Sequence, residues 1–214
     1  MEDQLNYKLI TFFEKYKHKT YTKGDMIIRG DDEPTGIYFI KKGYAKMSLI
    51  QEDGVEVSIN IFKANTFFPM IWALGNVENV YYYKALTSIE LYKAPKEDFL
   101  FFLKENPQIL LDLTSRVLIG IDSIIGTTTS ILKANSVQKV AIVIKMLAKR
   151  FGKINNEGET EIDISTTHQD IANFSGISRE TASLAISTLR KNRVIKNLGR
   201  KIIISNLQSL DLKK

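Results

Sequence analysis

The sequence predicts an α+β protein in three successive parts: an N-terminal β-roll of the jelly-roll kind, a long helix, and a C-terminal domain of helices closed by a β-hairpin. Three observations predict it. From Thr20 to about Pro95, runs rich in β-branched and aromatic residues are broken by turn signals roughly every 10 residues. From about Pro107 to Lys133, apolar residues recur at heptad-like spacing. Beyond that point the charge balance shifts. Residues 1–133 hold 16 Lys/Arg and 17 Asp/Glu, whereas residues 134–214 hold 14 and 7. The parts are expected at 1–106, 107–134 and 135–214.

The elements follow in order. Leu5 to Tyr16 reads as a short amphipathic helix. The runs "YFIKKGYAKMSLI", "EVSINIFKANTFF" and "IELYKA" read as strands, separated by "RGDDEPTG", "KKG", "EDG" and "KAN". Asp53-Gly54 between two alternating runs marks a hairpin, and the whole fits an antiparallel roll. After Pro95 the period changes. "PKEDFLFFLKENP" is a short helix stopped by Asn106-Pro107. In the long helix, Leu110, Thr114, Val117, Ile121, Ile124, Thr128 and Ile131 alternate spacings of four and three. Leu111, Leu118, Ile125 and Leu132 form a second row. Two adjacent stripes are expected to serve the helix's own domain and a partner helix, as in a homodimer; a buried helix in a monomer is the alternative. Gly120 and Gly126 each cost about 1 kcal/mol relative to alanine and would permit close approach or a bend. Asn135-Ser136 caps the next helix, "VQKVAIVIKMLAKRFG", which ends at Gly152. "KINNEGETEIDIS" then reads as a polar turn and one short strand.

Composition excludes several classes. The chain has no cysteine, which removes disulfides, iron–sulfur clusters, thiolate zinc sites and cysteine nucleophiles. Its two histidines, His18 and His168, are far apart in sequence, so neither a metal site nor a cofactor is expected. No window reaches the roughly 18 apolar residues of a membrane helix. The N-terminus lacks the apolar core of a signal peptide, so a cytoplasmic protein without membrane association is expected. The positive excess in the last 81 residues points to a polyanion, most often nucleic acid; a merely soluble basic surface is the alternative.

Residues 166–190, "TTHQDIANFSGISRETASLAISTLR", sharpen this. Thr167 and Asp170 make a capping box. Ile171, Ala172, Ala182 and Ile186 fall inward, Ile177 plugs the corner, and Gly176 sits where a side chain is expected to collide. Ser178 caps the second helix. This is the helix-turn-helix pattern. Arg179, Glu180, Ser183, Leu184 and Ser187 then face outward. Arginine can pair with guanine, glutamate can accept from cytosine, and leucine can press on a thymine methyl. After the helix, "KNRVIKNLGRKIIIS" reads as strand, glycine turn, strand, a wing whose tip cations, Arg200 and Lys201, can reach phosphate. His168 and Gln169 lie at a helix N-terminus, which favours phosphate; an exposed polar role suits His168 equally.

"THQDIANFSGISRETASLAISTLRKNRVI" followed by "GRKIII" resembles the winged helix-turn-helix of the CRP/FNR family of bacterial regulators. "KGDMIIRGDD", "IYFIKKGYAKM" and "EDGVEVSINIF" are similar to that family's cyclic-nucleotide-binding-like roll, and "FLKENPQILLDLTSRV" to the entry into its dimer helix. The resemblance covers nearly the whole chain. It implies a homodimeric, sequence-specific transcription regulator on a near-palindromic double-stranded DNA site, not an enzyme, with RNA polymerase as a partner. Recognition helices would enter successive major grooves roughly 34 Å apart. It implies base reading by Arg179 and Glu180 and phosphate contacts by Gln169, Arg200 and His168. Leu184 stands where the family often has a second arginine, so an A·T pair is expected at that step.

The stretch "NTFFPMIWALGNVENVYYYKAL" (65–86) falls at the family's effector cassette. Where cyclic-nucleotide binders hold ribose with Gly-Glu, this chain has Pro69-Met70. Where they hold phosphate with arginine, it has Asn79–Tyr81, and no arginine occurs between Arg29 and Arg116. The base-holding polar pair falls at Ile124-Ile125. A buried phosphate without a guanidinium is costly, so cyclic AMP binding is not expected. Phe67, Trp72, Tyr81, Tyr82, Tyr83 and Ile124 could line a pocket for an apolar or aromatic effector, or fill it themselves. The competing functions are a cyclic-nucleotide-responsive sensor acting through a protein partner, and an enzyme on a cupin-like roll. The latter would need clustered metal ligands, and the roll offers only His18.

Overall fold

The computed structural model describes residues 2–198 and 201–212. The chain forms two compact units, 1–119 and 120–214. The first begins with α1 (Glu2–Phe13). Strands β1 (Lys17–Tyr21), β2 (Met26–Ile28), β3 (Ile37–Lys42), β4 (Ala45–Ile50), β5 (Glu56–Phe62) and β6 (Phe67–Phe68) follow. Then come α2 (Met70–Gly75), β7 (Tyr82–Ala85), β8 (Ile89–Ala94), α3 (Lys96–Glu105) and the start of α4 (Pro107–Leu132). The second unit takes the end of α4, then α5 (Ser136–Phe151), β9 (Gly152–Ile154), β10 (Thr160–Ile162), α6 (His168–Ser175), α7 (Arg179–Lys191), β11 (Lys196–Leu198), β12 (Lys201–Ile204) and a 3-10 turn, Leu207–Leu210.

Two four-stranded antiparallel sheets make the roll, ordered β1-β8-β3-β6 and β2-β7-β4-β5. The first is covered on both faces at β3, which is why that strand reads "IYFI" without alternation. Ile37 and Phe39 join Phe13, Phe67, Phe99, Ile109 and Leu113 in a core between sheet and helices. Tyr38 and Ile40 join Ala45, Met47, Phe68, Tyr83 and Leu91 between the two sheets. On the helix side, Phe13 stacks on Phe39 with centroids 4.9 Å apart. Between the sheets, Phe68 lies parallel to Tyr83 at 4.7 Å and to Tyr38 at 5.7 Å. The β3–β4 turn depends on Gly43, whose φ is +92°, and a Cβ there would run into the Ser88 carbonyl.

The helices follow their sequence signals with adjustments. α2 interrupts the aromatic stretch and was not legible as a separate element. The single strand expected from "KINNEGETEIDIS" is a hairpin, β9 with β10. In α4, neither seven-residue row is the docking face. Ile109 and Leu113 are buried against the roll, and Leu110 packs half-buried beside them. Val117, Ile121, Ile124 and the row Leu111, Leu118, Ile125, Leu132 are exposed, and Ile131 is half-buried. The docking pair at the start of the helix is too short to register as a repeat. Gly120 and Gly126 have nothing within reach of a Cβ. At the N-terminal end Arg116 donates to Asn6 Oδ1 at 3.0 Å and pairs with Asp112 at 2.8 Å, tying α4 to α1.

Phe68 is fully buried between two tyrosine rings. Phe68→Ala is expected to lower unfolding free energy by about 3–5 kcal/mol, read from the shift of the urea midpoint at unchanged m-value.

Candidate nucleic-acid interface

The second unit builds its site on α6 and α7. Thr167 Oγ1 accepts from the Asp170 amide at 3.1 Å, and the Thr167 amide donates back to Asp170 Oδ2 at 2.9 Å, completing the capping box. α6 buries Ile171, Ala172, Asn173 and Ser175 and ends at Gly176. The expected collision at Gly176 is a correction. A Cβ there would meet nothing within 4 Å. Glycine is favoured because φ is +61° and ψ +43°, the left-handed conformation that lets α7 leave at a new angle.

Ser178 caps α7 by accepting from the Thr181 amide at 3.2 Å. α7 buries Ala182, Ala185, Ile186 and Leu189 and packs on α5 and α6. The opposite face carries Arg179, Glu180, Leu184 and Ser187, all exposed, with Ser183 half-buried beside them. These positions recur at helical spacing, so one face presents all five. Leu184 is 72% exposed. Among the described residues neither Arg179 nor Glu180 has a hydrogen-bond or ion-pair partner, so both heads are available. At the start of α6, His168 is half-buried. Gln169 is exposed but donates its side-chain amide to Asn173 Oδ1 at 2.6 Å.

The sheet ordered β11-β12-β10-β9 packs against α5. Lys201 opens β12 and is paired with Glu161. Lys196 pairs with Glu159 at 2.9 Å and Lys153 with Asp163 at 2.6 Å. The Ser205 hydroxyl, at 2.5 Å, and the Lys196 ammonium hold the Glu159 carboxyl below its ordinary pKa. Sequence reading missed these partners, although Glu159, Glu161 and Asp163 alternate along one short strand and its ends. Arg200 lies outside the described residues.

The five positions of the aromatic stretch do not share one pocket. Phe67 and Phe68 are neighbours on a strand and must point to opposite faces, so Phe67 lies in the helix-side core, away from Tyr83. Tyr83 is 1% exposed between the sheets, and burial, with Tyr81 nearby, pushes its phenol pKa up. Tyr81 is half-buried against the same core, and Tyr82 is half-buried beside Gly30. Trp72 is half-buried, with the Lys96 ammonium 4.4 Å from its ring centroid. It borders a cleft of about 310 Å³ lined by Asp31, Asp32, Glu33, Glu78 and Asn79, which is acidic where an apolar lining was expected. Ile124 belongs to the second unit. Asn79, at the cassette's arginine position, spends its amide on the Arg29 and Tyr81 carbonyls, both at 3.0 Å.

Roll, long helix and winged helix-turn-helix together define a DNA-binding transcription regulator. The cyclic nucleotide-binding domain family matches residues 18–106 and the Crp-like helix-turn-helix domain family residues 138–212. The chain belongs to the CRP/FNR family of transcription regulators, which are not enzymes and whose architecture implies DNA binding and dimeric assembly. It is similar to the global nitrogen regulator of Nostoc sp., 29% identical over 192 residues, covering 87% of this chain and 84% of the relative. It is also similar to the cAMP-activated global regulator CRP of Haemophilus influenzae, 24% identical over 87% of this chain and 84% of the relative. In fold it matches the c-di-GMP responsive regulator CLP of Xanthomonas campestris, with TM-score 0.79 and 15% identity over 92% and 98% of the two chains. Among the described residues no helix is long and apolar enough to cross a membrane.

Gly176→Ala is expected to destabilise the protein by about 1 kcal/mol through φ alone. Gly176→Asn is expected to cost less, because asparagine tolerates this region. Thermal unfolding of the two variants checks the order.

Proposed function

We propose that the chain is a homodimeric, sequence-specific regulator that reads a near-palindromic DNA site with α7 and does not respond to cyclic AMP. The carrying observation is the outward face of α7, where Arg179, Glu180 and Leu184 stand exposed while the helix is capped and buried behind them. Arg179 and Glu180 read bases, Leu184 presses on a thymine methyl, and Ser178, Ser183 and Ser187 fill the rest of the contact face. His168, Gln169 and Arg200 take phosphate. The exposed apolar rows of α4, with Val117, Ile121 and Ile124 at their centre, form the dimer seam, since a monomer would leave them in water. Residues 1–106, 107–134 and 135–214 act as roll, dimer helix and DNA-binding domain, in the cytoplasm and with RNA polymerase as protein partner.

The reading against cyclic AMP rests on what occupies the cassette. Pro69 and Met70 offer no charged or hydroxyl group, Asn79 is committed to the backbone, and Phe68 and Tyr83 stack where an interior ligand would need room. The aromatics fill the roll, which also leaves no room between the sheets for an apolar or aromatic effector. The alternative function, a cyclic-nucleotide sensor acting through a protein partner, loses its ligand for the same reason.

Selection of bound duplexes from a random pool at two salt concentrations tests the first part. Two inverted half-sites about one helical turn apart are expected. Leu184→Arg is expected to change the preferred pair at one step of each half-site toward G·C, by about 1–3 kcal/mol. Recovery of single half-sites would exclude the homodimer, and an unaltered preference would remove Leu184 from the reading. Titration calorimetry of the full chain with cyclic AMP is expected to show no binding heat; a stoichiometric isotherm would defeat the filled-roll reading.

A further inference from the structure

All three lysines in the described strands of the C-terminal sheet are paired with carboxylates, and the carboxylates come from β10 and the residues flanking it. The strand registers explain this. Lys153, Glu161, Ile203 and Lys196 lie in one row across β9, β10, β12 and β11. Residues two apart on a strand share a face, so Lys201 and Glu159 stand on that same face. The anions are the sheltered partners. The Glu161 side chain is 22% exposed against 48% for Lys201, and Glu159 is 11% exposed against 60% for Lys196. The cations lie outermost but are already engaged.

Lys201 begins β12 and pairs with Leu198 across the β11–β12 hairpin, the wing of the domain. A wing lysine at that position is a natural phosphate contact. Each such contact strengthens binding to any DNA sequence and adds to its salt dependence. A lysine paired with a carboxylate keeps N–H donors to spare, but its charge is offset, so it adds little net attraction to a phosphate until the pair opens. We infer that Glu161 is a positioning residue for DNA binding: it retains Lys201 on the sheet and keeps it off the DNA backbone. The pair thereby lowers the sequence-independent strength of the complex. The inference rests on the DNA-binding reading above and assigns Lys201 a different role from the phosphate contact its charge suggests.

The test uses the full-length protein, a duplex recovered by selection and a scrambled duplex, with affinity measured by fluorescence anisotropy between about 50 and 200 mM salt. E161Q frees Lys201. Its log–log salt slope is expected to steepen by about 0.9 per subunit. For a dimer, that is about a twelvefold larger loss of affinity across that salt range. Both duplexes should tighten at low salt by similar factors, since the new contact is to phosphate. The double variant E161Q/K201Q removes the pair without changing net charge and is expected to keep the wild-type slope. That comparison stands even where E161Q alone folds poorly. An unchanged slope in folded E161Q overturns the inference. So does a double variant with a shallower slope than wild type, because Lys201 would then already touch phosphate. Wild-type protein that shows no preference for the selected duplex defeats the DNA-binding reading itself, and is recognised before any variant is compared.

Discussion

Strand β3 is covered on both faces along Ile37–Ile40, and much of the roll follows from that constraint. A strand places successive side chains on opposite sides. With both sides dry, every residue of Ile37–Ile40 has to be apolar, and neighbours must serve different cores. The same rule splits Phe67 from Phe68. One goes to the helices and stiffens the seat of α1, α3 and the start of α4. The other goes between the sheets and completes the aromatic column with Tyr38 and Tyr83. Aromatic pairs at these separations contribute about 0.5–1.5 kcal/mol beyond their buried area. The column is therefore the roll's internal support.

The second unit solves an electrostatic problem of a different kind. It carries nearly all the chain's positive excess, yet its charges are not deployed uniformly. On α7 the cation and anion at the helix start are unpartnered among the described residues. On the sheet every described strand lysine has a carboxylate against it. Formal charge attracts the unit to a polyanion over a Debye length of about 8 Å. Short-range pairing then decides which cations remain free to be exchanged for phosphate. Net charge is thus a guide to partner class, and pairing is a guide to contact.

Much of the interface was legible from residue spacing. Thr167 and Asp170, the glycine at 176, Ser178 and the alternation of Ala182 and Ile186 with Arg179, Glu180 and Leu184 are local patterns. Caps and helix faces are set within one or two turns of chain. The sequence does not say why glycine stands at 176, because a left-handed φ and a steric clash select the same residue. The docking face of α4 was missed for a related reason. Ile109 and Leu113 make a single step of four, whereas the two longer rows repeat through the helix and draw the eye to a surface that the single chain leaves exposed.

By itself the sequence determined the order of roll, long helix and winged helix-turn-helix, the caps and turns that delimit them, and the face of α7 that points outward. Each rests on interactions between residues a few positions apart, so the periods of 2 and 3.6 record them. Only the tertiary structure decided which aromatic belongs to which core, that Trp72 borders an acidic cleft, and that Lys201 is held by Glu161. Those outcomes join residues 40 positions apart in the case of Lys201 and Glu161. Their pairing depends on strand order and register, and no local period encodes either.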